Sequence, residues 1–159
     1  ENLEEVIKKK RKVLFYSQFT SILHLMKKEA QNRNWKYVYL DGSTKNREQV
    51  VSQFQEDEQT LLFFISLKAG GVGLNLTKAD YVFLYDPWWN TAIENQAIDR
   101  AHRLGRSNQV IARRYVTVLS IEEKIMLLKK HKQQLFQTLM EDISNVEALS
   151  LEDLIHLLD

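Results

Sequence analysis

Five short runs of apolar residues along this chain have the length and composition of β-strands. They are rich in β-branched and aromatic residues and are bounded by polar stretches. The predicted strands are Val13–Tyr16, Tyr37–Leu40, Leu61–Ile65, Tyr81–Tyr85 and roughly Arg114–Val118. Because these runs are almost continuously apolar, they predict a sheet that helices cover on both faces.

Between the predicted strands, apolar residues recur at the spacing of amphipathic helices. One such face carries Phe19, Ile22, Leu23, Met26 and Ala30, and a second carries Val50, Val51 and Phe54. A third helix is predicted over Thr91–Arg103, where Thr91 and Glu94 have the spacing of a capping box. Strands that alternate with helices predict βαβ units, and therefore an α/β fold with a mostly parallel central sheet.

After Val118 the pattern becomes purely helical. Ser120 and Glu123 have the spacing of a second capping box. The apolar positions that follow at helical spacing are Ile121, Ile125, Leu128, Leu135 and Leu139. A last short helix is predicted from Ser150, with an apolar face at Leu151, Leu154, Ile155 and Leu158. We therefore predict two parts, an α/β lobe over residues 1–118 and a helical extension over residues 119–159 that packs on the lobe.

Length, charge and cysteine content narrow the class of protein. The 159 residues suit one domain, and a formal net charge of +1 means that any nucleic-acid contact must come from a local patch. The absence of cysteine excludes a disulfide framework and a thiolate metal site, and it suits a reducing compartment. No apolar run approaches the roughly 20 residues that a membrane span needs. We expect an intracellular protein without a membrane partner.

The amino-terminal segment has two further features. The chain begins at Glu1 without a methionine, inside a helical pattern, and we therefore expect it to be a piece of a longer protein. The basic run Lys8–Lys12 ends this helix and adjoins the first strand. That position favours a solvated helix end over a localisation signal or a DNA contact.

All five glycines lie outside the predicted strands and helices. They are Gly42 after the second strand, Gly70, Gly71 and Gly73 after the third, and Gly105 after the third helix. Ligands of open parallel sheets bind beyond the carboxyl ends of the strands, where glycine lets backbone N–H groups approach a phosphate. Three glycines beside Ser66 and Lys68 favour phosphate binding, whereas Gly42 or Gly105 taken alone favours a simple turn. The sequence has no G-x-x-x-x-G-K-[ST] loop, so any use of ATP requires a partner.

The third predicted helix carries Gln96, Arg100 and Arg103 on one face, at positions i, i+4 and i+7. A planar guanidinium directed into a cleft suits the charge that develops during phosphoryl transfer. The alternative is a solvated face whose arginines pair with Glu94 or Asp99. The rigid Pro87–Trp89 turn and the glycine loop lie next to this helix in the predicted fold, which favours the phosphate interpretation.

These segments resemble the helicase motifs of the Swi/Snf family of DNA-dependent ATPases. Gln96–Arg106 is similar to the sixth motif, Ser66–Thr77 to the fifth and Val13–Phe19 to the fourth. Leu40–Thr44 and Asp86–Asn90 match the intervening segments, the latter in the form common in bacterial and archaeal members. The resemblance covers nearly all of residues 12–118 in the family's order. Arg106 replaces the usual glutamine and has an open role, while Leu67 replaces a common threonine.

The resemblance implies a RecA-like three-layer lobe that closes against a first lobe, which carries the ATP-binding loop and the Mg²⁺ motif. It makes Arg100 and Arg103 arginine fingers, supported by Gln96, and it places Gly73 and Asn75 near the nucleotide. It implies contacts with the backbone of duplex DNA from Ser17, Gln18, Gly42, Ser43, Arg47, Ser66 and Lys68, with Trp89 at the DNA-facing surface. Either Trp88 or Trp89 is expected to pack under the sheet instead. His102 is expected to position its neighbours by hydrogen bonding, and no residue of this chain is expected to bind a metal.

The function we expect is therefore that of the C-terminal lobe of an ATP-driven translocase on double-stranded DNA. Its partners would be duplex DNA and the N-terminal RecA-like lobe, which would bind most of the ATP and Mg²⁺. This lobe alone is not expected to hydrolyse ATP. The expected location is the cytoplasm with the nucleoid in a prokaryote, or the nucleus in a eukaryote. Two alternatives remain: a lobe of another superfamily 2 motor, such as an RNA helicase of the DEAD-box kind, and a non-enzymatic module that binds nucleic acid or protein.

Overall fold

A parallel sheet of five strands forms the centre of the structure, a computed structural model that describes residues 2–70, 74–86, 91–99, 101, 110–116 and 121–147. The strands are β1 (Val13–Ser17), β2 (Tyr37–Leu40), β3 (Leu62–Ser66), β4 (Tyr81–Leu84) and β5 (Ile111–Arg114). Their order across the sheet is β2-β3-β1-β4-β5, and every neighbouring pair is parallel. The predicted α/β class with a mostly parallel sheet is therefore confirmed.

Helices cover both faces of this sheet. They are α1 (Leu3–Lys8), α2 (Thr20–Asn32), α3 (Arg47–Glu56), α4 (Leu67–Gly70), α5 (Thr91–Asp99) and α6 (Ile121–Glu147). Alternate residues of the central strands enter two separate cores. Leu14 and Phe63 pack with Phe54 of α3 and Ala97 of α5, while Phe15 packs on the opposite face with Leu23 of α2. These three layers are those of the predicted RecA-like lobe.

The fifth predicted strand has the wrong bounds. It was expected over roughly Arg114–Val118, whereas β5 covers Ile111–Arg114 and pairs with β4 from Tyr81↔Ile111 to Leu84↔Arg114. The ladder ends where β4 ends, with the Tyr115 N–H donating to the Leu84 carbonyl at 2.9 Å. The β-branched residues after Tyr115 look more strand-like, but pairing with β4 decides the register. Residues 117–118 lie outside the described part of the chain.

Lys12 differs from the solvated helix end predicted for the basic run. Its ammonium donates to the carbonyl of Phe54 in the last turn of α3, and to those of Asp57 and Thr60 after the helix, at 2.8 Å and 3.1 Å. A cation stabilises the negative end of a helix dipole and satisfies its last carbonyls. Burial lowers the pKa of Lys12. Lys8, in contrast, is exposed and pairs with Glu4 at 2.8 Å, as a solvated helix end would.

The helix α6 forms the predicted helical continuation, and its contact with the lobe includes a salt bridge from Lys129 to Glu94. Several of its apolar side chains are at least half exposed: Leu127, Leu128, Leu135, Phe136 and Met140. The division at residue 118 and the packing of the extension stay predictions. The helix predicted from Ser150 lies outside the described residues. Within the described ranges, no helix has both the length and the apolar character to cross a bilayer.

Candidate functional site

The predicted site residues that the structure describes lie mainly along the edge of the sheet where the parallel strands end. Ser17 is the last residue of β1, and Gln18 follows it. The Gly42–Ser43 turn comes after β2, and Lys68 comes after β3. Because all five strands are parallel, their carboxyl ends share one edge. The fold therefore brings together segments that are far apart in the sequence.

The turn after β2 is held by Asp41. Its Oδ1 atom accepts from the Ser43 N–H at 2.9 Å and from the Ser43 hydroxyl at 2.7 Å, and the Thr44 hydroxyl donates to it at 3.3 Å. The Tyr39 hydroxyl donates to Oδ2 at 2.9 Å. These bonds, led by the Ser43 hydroxyl, lower the pKa of Asp41 to about 2. Burial and the bond to Asp41 raise the pKa of Tyr39 to about 12, so the phenol remains a donor.

Gly42 is exposed at the tip of this turn. A Cβ atom built there would meet no other atom within 4 Å, and its φ lies outside the left-handed region. The fold itself therefore does not require glycine at this position. Ser43 is differently placed, because its N–H and its hydroxyl both donate to Asp41 and are not available to a phosphate while those bonds persist.

The segment after β1 is less exposed than the prediction of a DNA contact implies. Ser17 is fully buried, and its hydroxyl exchanges hydrogen bonds with the backbone of Phe19. Ser17 therefore lies at the end of β1 with a buried hydroxyl, and its contact with the DNA backbone stays a prediction. Gln18 is half-buried, and its N–H donates at 2.7 Å to the buried carboxylate of Asp86 after β4.

The short helix α4 separates core residues from an exposed cation. Leu67 and Ala69 are each only 3% exposed and pack into the core. Ser66, at the end of β3, is also buried. Lys68 between them is exposed. Leu67, which occupies the position of a common threonine in the family, is therefore a packing residue. Lys68, in the predicted fifth motif, is thus exposed to solvent directly after β3.

Arg47 and Asn75 share a groove of about 360 Å³ beside α3, although they were predicted to contact different ligands. The groove also includes Val51, Gln55 and Leu74. Gln55 holds the loop in place, because its side chain donates to the Asn75 carbonyl at 2.7 Å and accepts from the Lys78 N–H at 3.1 Å. Sequence analysis missed Gln55, since its partners lie 20 and 23 residues further along the chain.

Helix α5 has a buried stripe and an opposite exposed stripe. The buried stripe comprises Glu94, Ala97, Ile98 and Ala101, at positions i, i+3, i+4 and i+7, with Ile98 partly exposed. Gln96 lies on the exposed side, and its supporting role stays a prediction. The helix is described as Thr91–Asp99 and is followed by a turn at Ala101, whose N–H donates to the Ile98 carbonyl at 3.0 Å. The roles predicted for Gly73, Trp88, Trp89, Arg100, His102, Arg103 and Arg106 stay predictions, because these residues lie outside the described part of the chain.

Sequence analysis placed Glu94 in a capping box but missed that its carboxylate is buried and binds two cations. The carboxylate accepts from Arg114 Nε at 3.0 Å and from Lys129 Nζ at 2.7 Å. The sequence pattern contained one signal, since Glu94 falls on the same helical stripe as Ala97 and Ala101. Its partners on β5 and α6 could not be read from the sequence.

The described residues include no group of three histidine, aspartate or glutamate side chains that could hold a metal ion. Two buried or partly buried carboxylates among them have other partners, Asp41 with Ser43 and Glu94 with Lys129.

Comparison with known proteins identifies the family. Residues 1–105 match the family described as "Helicase conserved C-terminal domain". An uncharacterized ATP-dependent helicase of Mycoplasma genitalium is 39% identical over 98% of this chain, which corresponds to 15% of that protein. The DNA repair protein RAD5B of Arabidopsis thaliana is 41% identical over 90% of this chain and 11% of its own length. This chain thus spans only a small part of each of these relatives.

A solved structure agrees with the sequence relatives. The crystal structure of the C-terminal part of the Fun30 ATPase domain superposes with a TM-score of 0.73, at 38% identity, over 77% of this chain and 40% of that chain. This sequence identity is high enough to support common ancestry as well as a common fold. The chain belongs to the helicase conserved C-terminal domain family and is a C-terminal lobe of the Swi/Snf type.

Proposed function

We propose that this chain is the second motor lobe of an ATP-dependent translocase on double-stranded DNA. The observation that carries the proposal is the sheet edge at which the exposed Gly42 turn and the exposed cation Lys68 follow neighbouring strands. A backbone turn beside a cation suits the phosphates of one DNA strand, which position a protein without reading the base sequence. The relatives support this proposal because their names describe an ATP-dependent helicase and a DNA repair protein.

The direct phosphate contacts are assigned to Gly42 and Lys68, with Arg47 as a further cation beside the same turn. Asp41 has a supporting role, because its carboxylate fixes Ser43 and Thr44 and so the shape of the turn. Gln18 contributes to the DNA-binding edge through its position after β1. The hydrogen bond from its N–H to Asp86 fixes that position. Ser17 and Ser66 are buried, so we assign them a role in shaping the edge.

The ATPase chemistry of the intact motor is shared between two lobes. ATP and Mg²⁺ bind mainly to the N-terminal lobe, and the metal, when bound, neutralises charge on the phosphates. This lobe supplies Arg100 and Arg103 as arginine fingers, with Gln96 on the exposed side of α5 supporting them. Asn75 lies near the nucleotide. Closure of the cleft brings the fingers to ATP and moves the DNA-binding turns in the same event, which couples hydrolysis to translocation. Such a motor acts at the nucleoid of a prokaryotic cell or in a eukaryotic nucleus.

The test is the ATPase activity of the full-length parent protein with saturating duplex DNA, single-stranded DNA or RNA. We expect duplex DNA to stimulate hydrolysis most. Stronger stimulation by RNA would instead identify an RNA helicase. An absence of stimulation by all three would favour a non-enzymatic binding module. Lys68→Ala serves as an internal check, because a DNA-contact variant should need more duplex for half-maximal stimulation.

A further inference from the structure

Helix α5 approaches the sheet through small side chains. Ala97 is 5% exposed and Ala101 is fully buried, and Ile98 is the larger residue of the buried stripe. Alanine allows a close approach, but its single methyl group makes few contacts that oppose rotation of a helix about its axis. Directional bonds would therefore add to the packing that fixes the rotation of α5 about its axis.

Glu94 provides directional bonds at the first position of that stripe. Its side chain is 1% exposed, and its two oxygens bind two cations from different elements, Arg114 at the end of β5 and Lys129 in α6. Arg114 is 34% exposed and Lys129 is 12% exposed, so water screens these bonds only in part. Charge-assisted hydrogen bonds are shorter and stronger than neutral ones, and removal of one partner from a buried pair is costly.

We propose that Glu94 is a positioning residue that orients α5 and the arginine-bearing segment after it, and that α6 takes part through Lys129. This inference rests on the proposed function, because it assumes that Arg100 and Arg103 act on ATP. Gln96 lies two positions after Glu94, and Arg100 directly follows the last residue of α5. A rotation of α5 at Glu94 would therefore move Gln96 and would redirect the chain that leads from Asp99 to Arg100 and Arg103.

The inference gives α6 a role in catalysis as well as in stability. Lys129 lies 35 positions beyond Glu94 in the sequence, yet its ammonium is 2.7 Å from the Glu94 carboxylate. Loss of this contact should impair the alignment of the fingers without changing the DNA-binding turns after β2 and β3, which lie on other elements. The expected signature is a lower kcat at an unchanged affinity for DNA.

The experiment uses Lys129→Met in the intact motor, because this change leaves Glu94 paired with Arg114 and avoids an unpaired buried carboxylate. Lys130→Met is the matched control, since Lys130 is exposed on the same helix and loses the same charge. Misalignment by about 1 Å costs on the order of 10²-fold in rate. We expect kcat to fall about 10-fold in Lys129→Met and roughly 100-fold in Glu94→Gln. The KM for ATP and the Kd for duplex DNA should stay within about twofold, and Lys129→Arg should recover most of the activity.

Amide hydrogen exchange supplies a readout that does not depend on ATP. Residues 94–99 should exchange faster in Lys129→Met than in Lys130→Met, while the amides of β1 should be unchanged. Faster exchange with a normal kcat would overturn the inference, because Glu94 would then only hold the helix in place. Unchanged exchange and unchanged kcat would overturn it as well. If Arg103→Ala is inactive while Lys129→Met is fully active, this inference alone fails. If Arg103→Ala is fully active, the proposed function fails.

Discussion

Substitution of Gly42 by alanine tests the DNA-binding turn with little effect on the fold. The new methyl group would meet no atom of the chain within 4 Å, and the backbone there does not need the left-handed conformation. Gly→Ala at a compatible position stabilises a protein by about 0.4–1 kcal/mol, because the unfolded chain loses freedom. We therefore expect the free energy of unfolding to stay the same or to rise slightly.

The same methyl group should weaken DNA binding if a phosphate packs against this turn. Displacement of the phosphate would cost one hydrogen bond to a charged group, about 1.5–3 kcal/mol. That loss corresponds to an increase in Kd of roughly 10- to 150-fold. Fluorescence anisotropy of labelled duplex DNA with the intact motor, at one fixed salt concentration, measures the change.

Two controls make the result interpretable. Because the contact at Gly42 involves an uncharged backbone, the slope of log K against log salt should not change. Chemical unfolding of the same variant checks that the turn still folds. An unchanged Kd at unchanged stability would show that DNA does not approach Gly42. A marked loss of stability would contradict our description of the turn.

Three further predictions concern the charge of Lys68, the bonds of Asp41 in the turn after β2, and ATP hydrolysis by this lobe alone. Lys68→Ala should reduce the slope of log K against log salt by about 0.9 on every DNA sequence. Lys36→Ala removes the same charge at the opposite edge, just before β2, and should leave the slope unchanged. Since the folded-state pKa of Asp41 is about 2, its stabilisation is present above roughly pH 4 and is lost as the pH falls toward 2. After allowance for solvent screening, Asp41→Asn should therefore lower the free energy of unfolding by about 1 kcal/mol at pH 7. A difference of the same size near pH 2, measured by urea unfolding, would contradict this. The chain expressed alone should fold but should not turn over Mg-ATP, and substantial turnover free of contaminating ATPase would refute that expectation.

The central strands could be predicted from the sequence because their apolar runs coincide with the residues that the fold buries. The runs at Val13–Tyr16 and Tyr37–Leu40 became strands with little change, since buried apolar runs between helices have few alternatives. The edge strand β5 was misplaced because its partner β4 sets its register, and the partner's end is not visible in the local sequence. Edge strands also tolerate charged residues, which weakens the local signal there.

The candidate site was predictable in outline but not in its internal bonds. The sequence placed Lys68 and Gly42 at one edge of the sheet because each follows a strand of the predicted parallel sheet. That placement depends only on the topology of the sheet. The burial of Ser17, the clamp formed by Gln55 and the two partners of Glu94 depend on contacts between distant segments. A carboxylate on the buried face of α5 predicts that a cationic side chain pairs with it. The sequence alone does not identify that side chain.

The most direct test of the central claim is steady-state ATPase kinetics of Arg103→Ala and Arg103→Lys in the intact motor with saturating duplex DNA. An arginine finger acts across the cleft in the transition state, so its loss should lower kcat and leave DNA affinity and folding nearly unchanged. We expect Arg103→Ala to lose on the order of 10³-fold in kcat. Arg103→Lys should recover little, because an ammonium keeps the charge but loses the planar fork. A loss confined to KM, or near-full activity of Arg103→Lys, would contradict the claim that this lobe supplies an arginine finger.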